Sequence, residues 1–311
     1  MPEIVLHHFA ASPFSEKIRR ILGYKQLAWA SVEIPRILPK PELMPLTGGY
    51  RRTPVMQIGR DVYCDTRLIA RTLDRLAPEP PLFVSTLRAS ITALERWADQ
   101  QLFLAAIPVL FRPAGRAALV DKLGADYLER FQADRAALFR GGHVGRPDDQ
   151  FSRGLWEPAM ADLDAQLHEQ PFLLGQTPTL ADFAVYHPVW YVRGNAGVAA
   201  TLDAYPQLVH WFERMGEFGH GRSEPMTGAD ALARARHSDC WQPVADTRDA
   251  AFGPHLGHAV EVAATDYGVD PVVGRLVQID AHTVVVEREA PTVGPLRVHF
   301  PRTGFRIRLT G

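Results

Sequence analysis

The chain has 311 residues, of which 46% are hydrophobic and 22% are charged, and its formal net charge is −1. This composition is typical of a globular protein and gives no general electrostatic reason to expect nucleic acid or an anionic membrane as a partner, so a small-molecule partner is expected. At about 100–200 residues per domain, the length predicts two or three domains.

The sequence carries no pattern of a targeting signal or a disulfide framework. No run of about 18 apolar residues occurs, and no basic stretch precedes an apolar one near residue 1, so we expect no secretion signal, no membrane-spanning helix and a cytoplasmic protein. Cys64 and Cys240 are too few for a disulfide framework or a four-cysteine metal site. The "HLGH" segment at 255–258 lacks a nearby third ligand, and no metal site is predicted.

Residues 1–80 alternate between strand and helix patterns. "EIVLHHF" predicts a strand, a helix follows from Ser12 to about Tyr24, and "WASVEI" predicts a second strand. Two further strands, "TPVMQIG" and "DVYCD", flank a turn at residues 59–60 and precede another helix with one apolar face. This order predicts a small mixed sheet with helices packed against it.

The middle of the chain is predicted to be helical. From residue 85 to about 219, apolar residues recur at spacings of three and four, and one amphipathic stretch covers 117–139. We therefore predict a helical domain at 84–222. Thr179 lies three residues before Asp182 at the head of a nearly all-apolar segment. This is the spacing of a capping box with Asp in place of Glu, so the two residues are predicted to begin a buried helix.

The C-terminal segment, 228–311, has a different pattern. Alternating, β-branched segments such as "HAVEVAA" and "HTVVVERE" are separated by turn clusters such as "DYGVDP". We therefore predict about five short antiparallel strands in a compact all-β domain.

Ser12 and Pro13 have two interpretations. Serine is a favoured N-cap and proline a favoured first helical residue, so together they can simply start a helix. The same helix end offers free N–H groups and a positive dipole, and with the serine hydroxyl it can stabilise a bound thiolate. Both interpretations require the same geometry, so the motif alone does not separate them.

Two further sites in the first 80 residues point to a peptide-like ligand. The Thr53–Pro54 bond opens an interior strand, where proline is unusual, and we expect it to be cis. Asp65 and Thr66 begin a helix, where the carboxylate can accept an ammonium while the hydroxyl and backbone N–H groups bind a carboxylate. Together with Ser12, these groups would hold the two ends of a peptide-sized thiol.

Four motifs point to one known family: "SPFS.K.R..L" after the first strand, the "TPV" step, the pair Asp65 and Thr66, and "TLADF" in the helical segment. In these motifs the chain resembles the cytosolic glutathione transferases. The resemblance covers about residues 3–220 and is closest to the serine-type enzymes. It implies an α/β thioredoxin-like N-terminal domain followed by an all-α bundle. The C-terminal all-β domain lies outside it and is similar to an appendage on some bacterial transferase-like proteins.

The resemblance also implies roles for individual residues. Ser12 would hydrogen-bond the glutathione sulfur, with Ser15 as the alternative hydroxyl, while Thr179 and Asp182 would cap a helix. The residues implied to bind glutathione are Phe14, Lys40, Arg52, Thr53, Pro54, Asp65 and Thr66. Of these, Lys40 and Arg52 would meet the glycine carboxylate, and Asp65 is one methylene shorter than the glutamate usual at its position.

The activity implied is conjugation of the glutathione thiolate to a small hydrophobic electrophile, in a homodimer. Phe14, residues 98–111 and Trp190 would line the electrophile site. One alternative is a catalytically inactive binding or scaffold protein that uses the β-rich segment as its functional surface. The other is a glutathione-dependent reductase or lyase, which normally requires a cysteine where this chain has Ser12.

Overall fold

The structure, a computed structural model, describes residues 3–145, 147–239, 241–243 and 252–310, so Cys240 lies outside the described residues. The elements of the first segment are β1 (Val5–His8), α1 (Pro13–Tyr24), β2 (Ala28–Glu33), α2 (Met44–Thr47), β3 (Val55–Ile58), β4 (Asp61–Cys64) and α3 (Thr66–Leu76). β1 pairs parallel with β2 and antiparallel with β3, which pairs antiparallel with β4. This is the mixed sheet that the sequence predicts.

The middle segment is a helical bundle. Its helices are α4 (Arg88–Trp97), α5 (Phe103–Leu110), α6 (Pro113–Leu123), α7 (Ala125–Phe139), α8 (Asp149–Glu169), α9 (Leu180–Arg193) and α10 (Pro206–Gly216). The sequence predicted a single amphipathic stretch over 117–139, which was wrong because Gly124, at φ 82°, separates α6 from α7. Among the described residues no single helix could span a membrane, although the bent pair Ser85–Leu110 and Pro113–Leu123 has the length and composition when taken together.

Helix α9 lies at the centre of the bundle, and its first turn is anchored by a buried carboxylate. Asp182 is fully buried and accepts hydrogen bonds from the backbone N–H groups of Leu173 and Thr179, each at 2.8 Å. It also accepts from the Thr179 hydroxyl at 3.3 Å and from the Trp211 indole N–H at 3.2 Å. The carboxylate therefore ties α9 to the 170–179 loop and to α10.

The C-terminal segment begins with a helix rather than a strand. α11 spans Gly228–His237 and is capped by Thr227, whose hydroxyl accepts from the Asp230 N–H at 3.1 Å. The expectation of β structure from residue 228 was wrong there, because an alanine-rich stretch follows this cap. The five predicted strands are present further on, namely β6 (Ala259–Ala264), β7 (Val272–Ile279), β8 (Thr283–Ala290), β9 (Gly294–Pro301) and β10 (Phe305–Leu309).

These strands extend the first sheet instead of forming a sheet of their own. A short strand at Arg222–Pro225, β5, lies before α11, and within the described residues the sheet has ten strands in the order β10-β6-β7-β8-β9-β4-β3-β1-β2-β5. β9 pairs parallel with β4, with Tyr63 opposite His299. The His299 Nε2 lies 2.6 Å from the Asp61 carboxylate, so side chains reinforce the junction.

The extension also explains how the sheet is covered on both faces. Successive strand residues point to opposite faces, and Leu6 belongs to the core shared with α1 and the bundle, whereas Val5 belongs to a second core. The second core contains Ala231 and Ala235 of α11 and the inner residues of β6–β9. The C-terminal segment thus buries the face that the bundle leaves uncovered.

Candidate functional site

Ser12 caps α1 at the edge of a large cavity. Its backbone is extended (φ −81°, ψ 120°), and its hydroxyl accepts the Ser15 N–H at 3.2 Å, with Pro13 in the first helical turn. Ser12 lines a cavity of about 1410 Å³. The Ser15 hydroxyl is fully buried and, among the described residues, has no hydrogen-bond partner. Of these two serines, Ser12 lines the larger cavity, and in the part of the chain that the structure describes Ser15 lines neither cavity.

A second, smaller cavity of about 60 Å³ lies against the start of α3. It is lined by Pro54, Asp65 and Thr66 together with Arg67 and other residues, and the Thr53–Pro54 bond is cis, as predicted. The Asp65 carboxylate accepts the Arg67 N–H at 3.0 Å. Asp65 has φ 76°, a region that side chains other than glycine rarely adopt, and such backbone outliers cluster at ligand-binding sites.

Lys40 is placed behind Thr53. Its ammonium donates to the Thr53 hydroxyl at 2.8 Å and to the Arg51 carbonyl at 3.1 Å. Within the described part of the chain, Lys40 lines neither cavity. Burial, together with the charges of Arg135 and Arg51, lowers the pKa of Lys40 to about 7. Its contacts with the Thr53 hydroxyl and the Arg51 carbonyl hold the segment that precedes Pro54.

Arg52 is engaged by the C-terminal segment. Its guanidinium donates to the Asp266 carboxylate and to the Tyr267 carbonyl, and its central carbon lies 4.0 Å from the centroid of the Tyr267 ring. Burial acts to lower the pKa of Arg52, but Tyr267, Tyr50 and Asp266 outweigh burial and raise it. Sequence reasoning missed Asp266 and Tyr267, because the "DYGVDP" segment indicated only a turn.

Aromatic side chains form the bundle side of the larger cavity. The Phe14 ring lies 4.7 Å from the Phe103 ring and 4.5 Å from the His187 ring, measured between centroids. Phe103 and Phe111, which belong to the segment 98–111, line the cavity together with Trp190. Aromatic side chains of the bundle are therefore part of its lining.

A buried ionic cluster borders the smaller cavity, which Asp99 lines. The Asp99 carboxylate lies 2.7 Å from the Lys17 ammonium and 3.0 Å from the His187 Nε2. Burial acts to raise the pKa of Asp99, but Lys17 and His187 outweigh it and hold that pKa below its usual range. Lys17 also donates to the Thr66 hydroxyl at 3.4 Å. Sequence reasoning missed this cluster, which contacts the Thr66 hydroxyl through the Lys17 ammonium.

Comparisons with known proteins agree with this geometry. Residues 6–81 match the family described as "Glutathione S-transferase, N-terminal domain", and residues 126–214 match "Glutathione S-transferase, C-terminal domain". A solved GST-like protein from Pseudomonas syringae is 33% identical, with all of each chain covered and a TM-score of 0.83. The chain belongs to the glutathione S-transferase family. The thioredoxin-like fold of its N-terminal segment is thereby established.

More distant transferases share the fold over part of the chain. A glutathione S-transferase from Rhodospirillum rubrum F11 is 18% identical, with 68% of this chain and 87% of that chain covered and a TM-score of 0.52. One from Methylobacillus flagellatus KT, solved with GSH bound, is 18% identical, with 69% and 95% covered and a TM-score of 0.50. No curated protein sequence matches the chain. The Pseudomonas syringae protein, by contrast, is matched over the C-terminal segment as well.

Proposed function

We propose that this glutathione S-transferase family member binds glutathione and conjugates its thiolate to a small hydrophobic electrophile. The observation that carries the proposal is the Ser12 hydroxyl, which caps α1 on the wall of the larger cavity. A sulfur atom beside this cap would meet a hydroxyl donor, the backbone N–H of Phe14 and the positive end of the helix dipole. All three favour the thiolate over the thiol.

The energy required is within reach of this arrangement. Hydrogen bonds to a charged group contribute about 1.5–3 kcal/mol, and one pKa unit corresponds to about 1.4 kcal/mol. The Ser12 hydroxyl alone would therefore lower the thiol pKa by about one to two units. Ser12 acts as a hydrogen-bond donor and keeps its proton.

The smaller cavity suits the γ-glutamyl end of glutathione. Thr66 and the free N–H groups at the start of α3 would bind its carboxylate, and Asp65 would accept its ammonium. Thr53, which directly precedes Pro54, would pair its backbone with the cysteinyl unit. The aromatic wall around Phe14 then leaves an apolar surface for the electrophile next to the sulfur.

The glycine carboxylate has other possible partners than the two residues named from the sequence. Lys40 is turned towards Thr53, and Arg52 is paired with Asp266. Arg36 and Arg135 line the larger cavity. Arg135 is paired with Asp134, so we propose that Arg36 binds the glycine carboxylate.

The test is a titration of bound glutathione, followed by the ultraviolet absorbance of its thiolate. We expect a depressed thiol pKa in the wild type and a return of about one to two units towards the solution value in Ser12→Ala. Ser15→Ala is the matched control, because its hydroxyl lines neither cavity among the described residues, and it should titrate like the wild type. A shift that disappears in Ser15→Ala instead would transfer the role to Ser15.

The scaffold alternative makes a different prediction in the same assay. It is favoured by Asp65, whose side chain is already engaged by the Arg67 N–H and is short for its proposed partner. A non-catalytic protein would bind glutathione with an unshifted thiol pKa, or would not bind it. Either result in the wild type would refute the transferase proposal.

Homodimerisation is a separate part of the proposal. The outer edge of β4 is paired with β9 of the same chain, so a second copy would dock on another surface. Size-exclusion chromatography with light scattering measures the mass directly. A monomer mass at all concentrations would refute the dimer without affecting the proposed chemistry.

A further inference from the structure

The two cavities meet at four residues. Phe14, Arg52, Thr53 and Tyr267 line both the larger and the smaller cavity. Three of them belong to the first segment, and only Tyr267 comes from the C-terminal segment. A ligand that extends from one cavity into the other must pass between these four side chains.

The C-terminal segment also forms one side of the smaller cavity. Asp266, Tyr267 and residues 303–305 line it together with Asp65 and Thr66. Its volume of about 60 Å³, against about 1410 Å³ for the larger cavity, suits an amino-acid head group and not a whole tripeptide. The lining carries carboxylates as well as guanidinium groups, which match a zwitterionic head group.

The loop that carries Tyr267 is held from two directions. On the first segment's side, Arg52 binds Asp266 and the Tyr267 carbonyl. On the bundle side, the Tyr267 ring stacks on Phe139 with centroids 4.7 Å apart and an interplanar angle of 14°, and the Gly268 N–H donates to the Leu138 carbonyl at 2.7 Å. Contacts within the chain thus fix the position of Tyr267.

We propose that the loop at residues 265–268 is part of the glutathione site and that the Tyr267 ring contacts the tripeptide where it crosses between the cavities. This inference rests on the proposed function, because it concerns the ligand of that site. Burial raises the pKa of the Tyr267 hydroxyl to about 12, so the side chain is neutral at physiological pH. The C-terminal segment therefore completes the site within one chain, in addition to covering the sheet.

The binding test uses the full-length protein with glutathione and with S-methylglutathione, whose thiol is blocked, and measures Kd by isothermal titration calorimetry. We expect Tyr267→Leu to raise both Kd values by about tenfold and Tyr267→Phe, which keeps the ring, to raise them by less than about threefold. Tyr127→Leu is the matched control, because Tyr127 lies on α7 and lines neither cavity among the described residues. It should bind like the wild type.

The outcomes separate the two proposals. If the wild type binds neither ligand, the proposed function fails. If the wild type binds both ligands and Tyr267→Leu binds them equally well, the assignment of Tyr267 fails while the proposed function stands. A Tyr127→Leu effect as large as that of Tyr267→Leu would also overturn the assignment.

A measurement on the wild type keeps the proposal testable if Tyr267→Leu does not fold. S-methylglutathione should slow amide hydrogen exchange in the peptide that covers residues 265–268. The peptide that covers β8, which lines neither cavity among the described residues, should exchange at an unchanged rate. Unchanged exchange at 265–268 in the presence of bound ligand would overturn the proposal.

Discussion

Replacing Asp182 should show how strongly one buried carboxylate holds the bundle together. Asp182→Ala removes the acceptor for the N–H groups of Leu173 and Thr179 and for the Trp211 indole. A buried donor left without a partner costs about 1–3 kcal/mol, and Asp182→Ala leaves three such N–H donors. We expect Asp182→Ala to lower the free energy of unfolding by about 4 kcal/mol.

Asp182→Asn provides the graded comparison. Its single amide oxygen can keep the bonds from Leu173 and Trp211, both made by Oδ1, but not the Thr179 N–H bond made by Oδ2. One lost partner predicts a decrease of about 1–2 kcal/mol. Asp203→Ala is the control, because its ion pair with Arg193 is solvent-exposed and should contribute less than about 1 kcal/mol.

Urea unfolding followed by tryptophan fluorescence at neutral pH measures all three variants. We expect Asp182→Ala to be the most destabilised, Asp182→Asn to be intermediate and the control Asp203→Ala to be the least destabilised. An Asp182→Ala variant that loses less than about 1 kcal/mol would refute this expectation, since buried donors would then be satisfied without the carboxylate. Equal losses for Ala and Asn would show that charge, and not the number of accepted bonds, decides the effect.

Two further predictions follow from the contacts of α1. Burial acts to raise the pKa of Glu16, but His220, Arg19 and Arg20 outweigh burial and lower this pKa from 4.5 to about 2. The contribution of the carboxylate to the free energy of unfolding is therefore complete above pH 4.5 and is lost as the pH falls through 2. Glu16→Gln should therefore lower stability by about 3 kcal/mol at pH 7, and a difference that persists undiminished near pH 2 in denaturation curves would contradict this. Gly23→Ala should lower the melting temperature and reduce the free energy of unfolding by about 1–3 kcal/mol, because the added Cβ would lie 2.3 Å from the Gly219 carbonyl oxygen. An unchanged melting temperature would show that the backbone moves to relieve this contact at little cost.

Much of the fold could be predicted from the sequence, because the deciding interactions are local. A helix begins where a capping side chain meets an N–H group two or three residues away, as at Ser12, so its start can be recognised from adjacent residues. Strand alternation likewise predicted the five C-terminal strands. The α6–α7 break and α11 were missed, because a single Gly124 and an Ala-rich segment after Thr227 carry weak local signals.

Only the tertiary structure decided how the C-terminal segment joins the rest. The pairing of β9 with β4 brings Tyr63 beside His299, and the Arg52 contact with Asp266 likewise joins residues far apart in the chain. Periodicity shows that a strand has a buried face, but it does not show which edge or loop lies against it. The sequence by itself therefore predicted the helix starts at Ser12 and Asp65, whereas the contacts of Tyr267 required the folded chain.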